Sequence, residues 1–345
     1  MSGQQDVGPR YSLIIPIFNE EAVVPLLLRR LDQLLLRLDG PAEVIFVDDG
    51  SRDTSSIVLA ARARENPNFR FLGLSRNFGH QIAITAGMDH ARGEAVIVMD
   101  ADLQDPPELV LDMIAKWREG FDIVYAQRLS REGEGAFKKA TAALYYKLVG
   151  KLATVDIPRN VGDFRLIDRK VLQAFSTMRE KDRYVRGMFA WMGFKQAAVP
   201  FHRPPRAAGE TKYPLRKMLK LAANGIVSFS DAPLRLALWV GMGVSALALA
   251  YAAWVMIGSL IGSDYVRGWS STVVITSFLL GINMLMTGIM GLYVGRIHNE
   301  VKGRPLYLVG TAVGFDAAAQ DRRTGSGQAS PEDAASSPRR RQAAP

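Results

Sequence analysis

The stretch Ala95-Val96-Ile97-Val98-Met99-Asp100-Ala101-Asp102-Leu103-Gln104 decides the fold. Its first half is apolar and β-branched, as a buried strand requires. It then turns acidic at its carboxyl end. In an extended chain, residues i, i+2 and i+4 point to one side. Asp100, Asp102 and Gln104 are therefore expected to aim three oxygens at one point. Hard cations such as Mg²⁺ bind through oxygen and often bridge substrate phosphates. A solvated surface turn would show the same Asp-x-Asp spacing, so its position after a buried strand matters.

The same pattern recurs on both sides of this stretch. Tyr11 to Ile17, Glu43 to Val47, Phe69 to Leu74 and Ile123 to Ala126 read as further short apolar strands. Between them lie segments with helical period: Ala22 to Leu38, a helix capped by Asp53, Gln81 to Ala91, and one opened by Pro106-Pro107 that ends near Gly120. Alternation of strand and helix predicts an α/β fold with a mostly parallel sheet covered on both faces. Ligands of such sheets sit beyond the carboxyl ends of the strands. Those ends are polar here. Asn19 and Glu20 follow the first strand, Asp48-Asp49-Gly50-Ser51 ends the second, and Arg76-Asn77-Phe78-Gly79-His80 follows the third. The carboxylates after the second strand can accept hydrogen bonds from a ribose or a base. A helix-capping turn with no ligand would use the same residues.

Several function classes drop out. No G-x-G-x-x-G opens the first helix and no P-loop pattern occurs, which argues against a dehydrogenase or a P-loop NTPase. The chain has no cysteine, so disulfides, thiolate nucleophiles and Cys-ligated zinc are excluded. The net charge of +9 has no accompanying groove-reading motif, so a nucleic-acid partner is not expected. The N-terminus lacks a basic run followed by an apolar core, so no cleaved signal peptide is expected.

The charge has a better explanation near two apolar runs, Leu236 to Ile261 and Thr272 to Gly295, neither of which carries a charged residue. A bilayer core of about 30 Å needs about 20 helical residues, and both runs suffice. Gly241, Gly243, Ala246 and Ala250 would allow close helix approach. The connection Gly262 to Gly268 is too short for a domain, so a hairpin is expected. Arg216, Lys217, Lys220 and Arg235 precede it; Arg296, Lys302 and Arg304 follow it. The positive-inside tendency then places the large N-terminal domain and C-terminus in the cytoplasm of a multi-pass membrane protein. Residues 213–232 mix apolar and basic side chains as an interface helix would. The expected organisation is a flexible N-terminus at 1–10, an α/β domain at 11–212, the interface region, two spans within 233–300, and a tail at 301–345. The tail is expected to be mostly disordered, being poor in large apolar residues from about Asp316 onward.

Taken together, Ile14-Ile15-Pro16-Ile17-Phe18-Asn19-Glu20-Glu21, Val47-Asp48-Asp49-Gly50-Ser51-Arg52-Asp53-Thr54, Arg76-Asn77-Phe78-Gly79 and Met99-Asp100-Ala101-Asp102-Leu103-Gln104-Asp105-Pro106-Pro107-Glu108 resemble the family-2 glycosyltransferases with a GT-A fold. Within them the chain most resembles the polyprenyl-phosphate glycosyltransferase group over residues 11 to 300. Phe18 departs from the pattern, where a tyrosine is common. The resemblance implies that Pro16, Asn19, Glu20 and Asp48 line a nucleoside pocket, and that Asp100, Asp102 and Gln104 hold Mg²⁺ or Mn²⁺. It further implies that Asp163, within Gly162-Asp163-Phe164-Arg165, contacts the sugar and transferring centre. Arg203, Arg206 and Gly209-Glu210-Thr211-Lys212-Tyr213 would clamp phosphates beside the membrane. Arg128, with Lys138 or Lys139, would bind the acceptor phosphate. The implied activity is inverting transfer of a sugar from a nucleotide sugar, UDP-glucose before GDP-mannose, to a polyprenyl phosphate. A homo-oligomer, as a tetramer, is implied as well. A processive polysaccharide synthase would need more spans and a Q-x-x-R-W-type segment. A non-catalytic membrane scaffold would not need the acidic motifs.

Overall fold

The computed structural model describes residues 8–129, 161–202 and 268–315, and helical residues between 238 and 257. The alternation read from the sequence is present: β1 (Tyr11–Ile17), α1 (Val24–Leu35), β2 (Ala42–Asp48), α2 (Ser55–Glu65), β3 (Phe69–Leu74), α3 (His80–His90), β4 (Ala95–Val98), α4 (Leu109–Arg118) and β5 (Ile123–Arg128). Three further strands join them: β6 (Val161–Asp168), β7 (Gln196–Phe201) and β8 (Val309–Val313). Among the described residues these form one eight-stranded sheet in the order β7-β5-β6-β4-β1-β2-β3-β8. β6 and β8 run against the other six strands, so the sheet is mostly parallel.

Burial explains the local elements. β1 is buried at every position, as a central strand covered on both faces must be. Val24, Leu27, Leu31 and Leu34 place one apolar stripe of α1 against the sheet. Each such side chain contributes about 1.5–3 kcal/mol when fully buried. Pro16 sits in this central strand at a place that tolerates it. The Ile14 carbonyl accepts from Met99 N–H, so Pro16, two residues on, also faces the β4 side. The β1–β4 ladder has ended by then, at Ile14 opposite Val98, and the missing proline N–H costs no ladder bond. Helix α3 lies close on β1 and β2 through Gly87. A Cβ there would overlap Ile14 and stand 3.0 Å from Val47 Cγ2. This close approach sets the height of the α3 N-terminus, where His80 begins the helix.

Two helices follow β6: α5 (Arg169–Thr177) and α6 (Val185–Trp191). A long helix, α7 (Trp269–Val301), precedes β8. It covers the second apolar run, and among the described residues its segment Phe278–Val301 is the one helix long and apolar enough to cross a membrane. Phe278, Leu280, Met284, Met290 and Leu292 are exposed on it. The described residues of the first apolar run are also helical, with Leu238, Trp239, Leu247 and Trp254 exposed. Residues 213–232 lie outside the described residues, as does the chain beyond 315.

The segment from 301 onward begins with an ordered part: Val309–Val313 pairs antiparallel with β3, and the stretch from Asp316, expected to be disordered, lies outside the described residues. The strand is short, and the apolar run Leu306-Tyr307-Leu308-Val309 leads into it. Its order comes from the open edge of β3, whose backbone groups need partners.

The candidate active site

The carboxyl edge of the sheet gathers the polar clusters, and hydrogen bonds stitch them together. The Asn19 amide donates to Ser51 Oγ at 2.9 Å, and Asn19 Oδ1 accepts from the Arg52 amide at 2.8 Å. The Glu20 amide donates to Ser55 Oγ at 3.0 Å. Asn19 adopts φ 56°, a left-handed conformation that asparagine tolerates better than most residues. The Asp53 carboxylate accepts from the Ser55 amide at 3.0 Å at the start of α2, one residue ahead of the N-cap Thr54, whose own side chain makes no capping bond. Phe18 is exposed at this edge. Pro16 is buried just beneath.

The two adjacent aspartates after β2 have different jobs. Asp48 accepts from the Ser51 amide through both oxygens, at 3.3 and 3.2 Å. Burial raises its carboxyl above the usual range against those bonds. Asp49 accepts from the Phe78 and Gly79 amides at 2.7 and 2.9 Å, so it ties the β2 turn to the loop after β3. Gly50 makes that closure possible. Its φ is +73°, and a Cβ would stand 2.8 Å from the backbone of Arg76 and Asn77. Gly50→Ala is expected to destabilise the protein by about 1–2 kcal/mol from the left-handed conformation alone. The backbone clash adds to this. Thermal denaturation together with nucleotide binding checks it: both the midpoint and the affinity should fall.

The acidic loop after β4 departs from the expected geometry. β4 ends at Val98, residues 101–105 form turns and bends, and Leu103 has φ 55°. Simple i, i+2, i+4 alternation therefore does not align Asp100, Asp102 and Gln104. The Gln104 amide instead donates to Asp102 Oδ1 at 3.1 Å, folding the loop on itself. Asp100 Oδ1 and Gln104 Oε1 are nonetheless buried with no hydrogen-bond donor. Burial pushes the Asp100 carboxyl up to about 6; His80 opposes this, while Asp163, Asp105 and Asp102 add to it. Oxygens left without donors in a field of excess negative charge suit a hard divalent cation. No three His, Cys, Asp or Glu side chains converge as a metal cage among the described residues. Such an ion would complete its shell with waters and substrate phosphates, as Mg²⁺ commonly does.

Asp163 reaches this same edge because β6 is antiparallel. Val98 pairs with Arg165, and continuing that register by two residues brings Asp163 opposite Asp100. The Asp163 side chain is buried and held by three side chains. Arg186 Nε and Nη2 donate to it at 2.8 and 3.0 Å. Gln81 Nε2 donates at 3.2 Å, and His80 Nε2 lies 3.3 Å away. Burial alone would raise its carboxyl; the Arg186 guanidinium and His80 instead hold it well below the usual range. His80 also faces Asp100 Oδ1 at 3.4 Å. Desolvation would lower the imidazole, but its bond to Asp163 and the charge of Asp100 raise it. Arg165 is buried beneath, donating to the Gly162 carbonyl at 3.0 Å. Burial lowers its guanidinium to about 10, against the pull of Asp163.

The structure thus brings together Asn19, Glu20, Asp48, Asp100, Asp102, Gln104 and Asp163 at one edge. Arg128 stands beside Asp105, with Nη2 3.5 Å from Oδ1, and so links β5 to the acidic loop. Arg203, Arg206, Lys212, Lys138 and Lys139 lie outside the described residues. The sequence reading did not single out His80, Gln81 or Arg186. His80 was visible as the end of the polar cluster after β3. Arg186 had no local signal, since it meets Asp163 only through the packing of α6. The opposite edge of the sheet has its own buried polar group. There Glu43 pairs with Arg70 at 2.8 Å and accepts from Ser12 Oγ at 2.5 Å, a buried ion pair within the strands.

The chain is similar to several known proteins. The model of the family described as Glycosyl transferase family 2 matches residues 12–175. The uncharacterized glycosyltransferase YkcC of Bacillus subtilis (strain 168) is 47% identical over 307 residues, spanning 89% of this chain and 95% of its own. The prophage bactoprenol glucosyl transferase homolog of Escherichia coli (strain K12) is 39% identical over 300 residues, spanning 87% and 98%. Among solved structures, glucosyl-3-phosphoglycerate synthase from Mycobacterium tuberculosis, in complex with Mn²⁺, UDP-glucose and phosphoglyceric acid, is 20% identical; the match covers 63% of this chain and 77% of that one, with a TM-score of 0.42.

Proposed function

Because this chain belongs to the family 2 glycosyltransferases, we propose that it transfers a sugar from a nucleotide sugar to a polyprenyl phosphate. The relatives named bactoprenol glucosyl transferases favour this acceptor, and favour UDP-glucose over GDP-mannose as donor. The observation that carries the reading on this chain is the meeting of Asp48, Asp100, Asp102, Gln104 and Asp163 with His80 and Arg186 at one sheet edge.

Each residue has a part in the chemistry. The loops of Asn19, Glu20 and Asp48 receive the nucleoside. Asp100, Asp102 and Gln104 would hold a divalent cation, Mg²⁺ or Mn²⁺, which when bound neutralises charge on the departing diphosphate. A phosphate oxygen of the acceptor forms the new bond to the anomeric carbon. The bond from that carbon to the nucleoside diphosphate breaks, and the diphosphate leaves with the electron pair. A single displacement of this kind inverts the anomeric centre. The acceptor is already anionic near neutral pH, so no strong base is needed. Asp163, held ionised by Arg186, is a poor base and serves to orient. It fixes the Arg186 guanidinium and the His80 imidazole near the acidic loop, where they counter developing negative charge.

The test is transfer by the full chain in detergent. Labelled UDP-glucose and GDP-mannose are each offered with undecaprenyl phosphate, with and without Mg²⁺ or Mn²⁺. Glucosyl transfer that stops in excess chelator is expected. Absence of lipid product from either donor would reject the reading.

The proposed setting is a membrane hairpin with the sheet and C-terminus in the cytoplasm. It is supported by two apolar runs and by the exposed apolar faces of their helices. A cysteine introduced at Ser263 should label with an impermeant reagent from outside the cytoplasm, and one at exposed Glu65 should not. The reverse pattern inverts the topology.

A further inference from the structure

We infer that the carboxyl end of α7 and the chain after it form a clamp that positions Arg186 on Asp163; its consequence for catalysis rests on the transfer reading above. The loop between α5 and α6 is held from outside by residues that leave the apolar helix. The Lys181 amide donates to Glu300 Oε2 at 3.0 Å. The Lys181 ammonium donates to the Arg304 carbonyl. Arg296 Nε stands 3.8 Å from Asp182 Oδ2. Farther along, the Tyr307 hydroxyl donates to Asp89 Oδ2 at 2.9 Å, and Arg179 Nη1 donates to the same oxygen at 2.8 Å. β8 then zips onto β3, and the Ser75 amide donates to the Leu308 carbonyl at 2.9 Å.

The inner side of the same loop runs straight into the site. The Val185 amide donates to Gln81 Oε1 at 3.0 Å, and Gln81 Nε2 donates to Asp163. Arg186 follows and grips Asp163 through two nitrogens. The segment from Arg179 to Arg186 is thus bracketed between the end of α7 and the catalytic edge. Each exposed ion pair alone is weak, at about 0–1 kcal/mol. Anchored to a strand ladder they act together, and they fix the direction from which Arg186 enters. A displacement of about 1 Å at a reacting centre can cost up to about a hundredfold in rate.

Glu300 is therefore a positioning residue for Arg186. Glu300→Ala, in the full chain in detergent, is expected to slow transfer about tenfold while leaving the dissociation constant of UDP unchanged. Glu300→Gln keeps an oxygen acceptor for the Lys181 amide and should restore most of the rate. Hydrogen exchange at the Val185 amide should quicken in the alanine variant and not in the glutamine one. In an Arg186→Lys background, where paired gripping of Asp163 is already lost, Glu300→Ala should slow transfer much less. Wild-type transfer by Glu300→Ala, an equal slowing in the Arg186→Lys background, or unchanged Val185 exchange would each overturn the clamp. If the wild-type chain makes no lipid-linked sugar, the functional reading fails. The exchange measurement would still decide the clamp.

Discussion

Asp100→Asn is expected to lower transfer by about 10²–10³-fold and yet to make the metal-free chain more stable. The loss of rate follows from removing a charged oxygen where negative charge develops; a single electrostatic group of this kind is commonly worth that much. The stability gain follows from burial. The Asp100 carboxyl is pushed up to about 6, with His80 opposing and three neighbouring carboxylates contributing. The folded chain therefore keeps this proton across the window from about 4 to 6, where the unfolded chain has released it. As pH rises through that window, the charged group costs the fold stability. The shift corresponds to at most about 3 kcal/mol. The side chain is partly open to solvent, so a gain of about 1 kcal/mol at pH 7.5 is the expectation. Urea unfolding in excess chelator, at pH 7.5 and pH 4, measures it. The variant should be the more stable protein at the higher pH and equal to wild type at the lower one. A variant that is less stable at pH 7.5, or transfers normally, contradicts this role for Asp100.

Asp163→Asn should behave in the opposite way, losing both activity and stability. Asp163 is paired with Arg186 and stands near buried Arg165. Its removal leaves a part-exposed guanidinium and buried Arg165 without this carboxylate, which costs about 1–3 kcal/mol. The sign with pH also reverses. Arg186 and His80 outweigh burial and hold the Asp163 carboxyl well below the usual range. Its contribution is therefore fully present above about pH 4 and is lost only as pH falls through the lower folded value. The stability gap between wild type and Asp163→Asn should be widest from about pH 5 to 6.5, narrow as pH rises and the His80 charge that Asp163 favours is lost, and close in stronger acid. A second substitution, Arg186→Met, should recover part of the lost stability, since it removes one stranded charge. It should recover none of the transfer, because the oriented pair is gone. Recovery of transfer in the double variant would make the pair merely structural.

These two aspartates show how much of the site the sequence carried. Asp100 follows a short apolar strand, and its place at the sheet edge was readable from that strand alone. The same holds for Asn19, Asp48 and the His80 loop. What could not be read was the conformation of the acidic loop. Leu103 takes a positive φ, a choice that no β-branched or glycine pattern signals, and it breaks the expected alternation. Asp163 was noticed through resemblance, but the groups that hold it were not.

The division has a physical basis. Strand and helix alternation is written in local periodicity, because each residue's face is set by the backbone a few positions away. That determined the parallel core, its polar carboxyl edge and the apolar runs near the C-terminus. Antiparallel pairing between distant segments has no such local period. β6 could be placed beside β4, and β8 beside β3, only by register and packing across the whole chain. That long-range pairing put Asp163 opposite Asp100, carried Arg186 to it on α6, and returned the chain after α7 to the sheet, where Glu300 meets the loop that leads into the site.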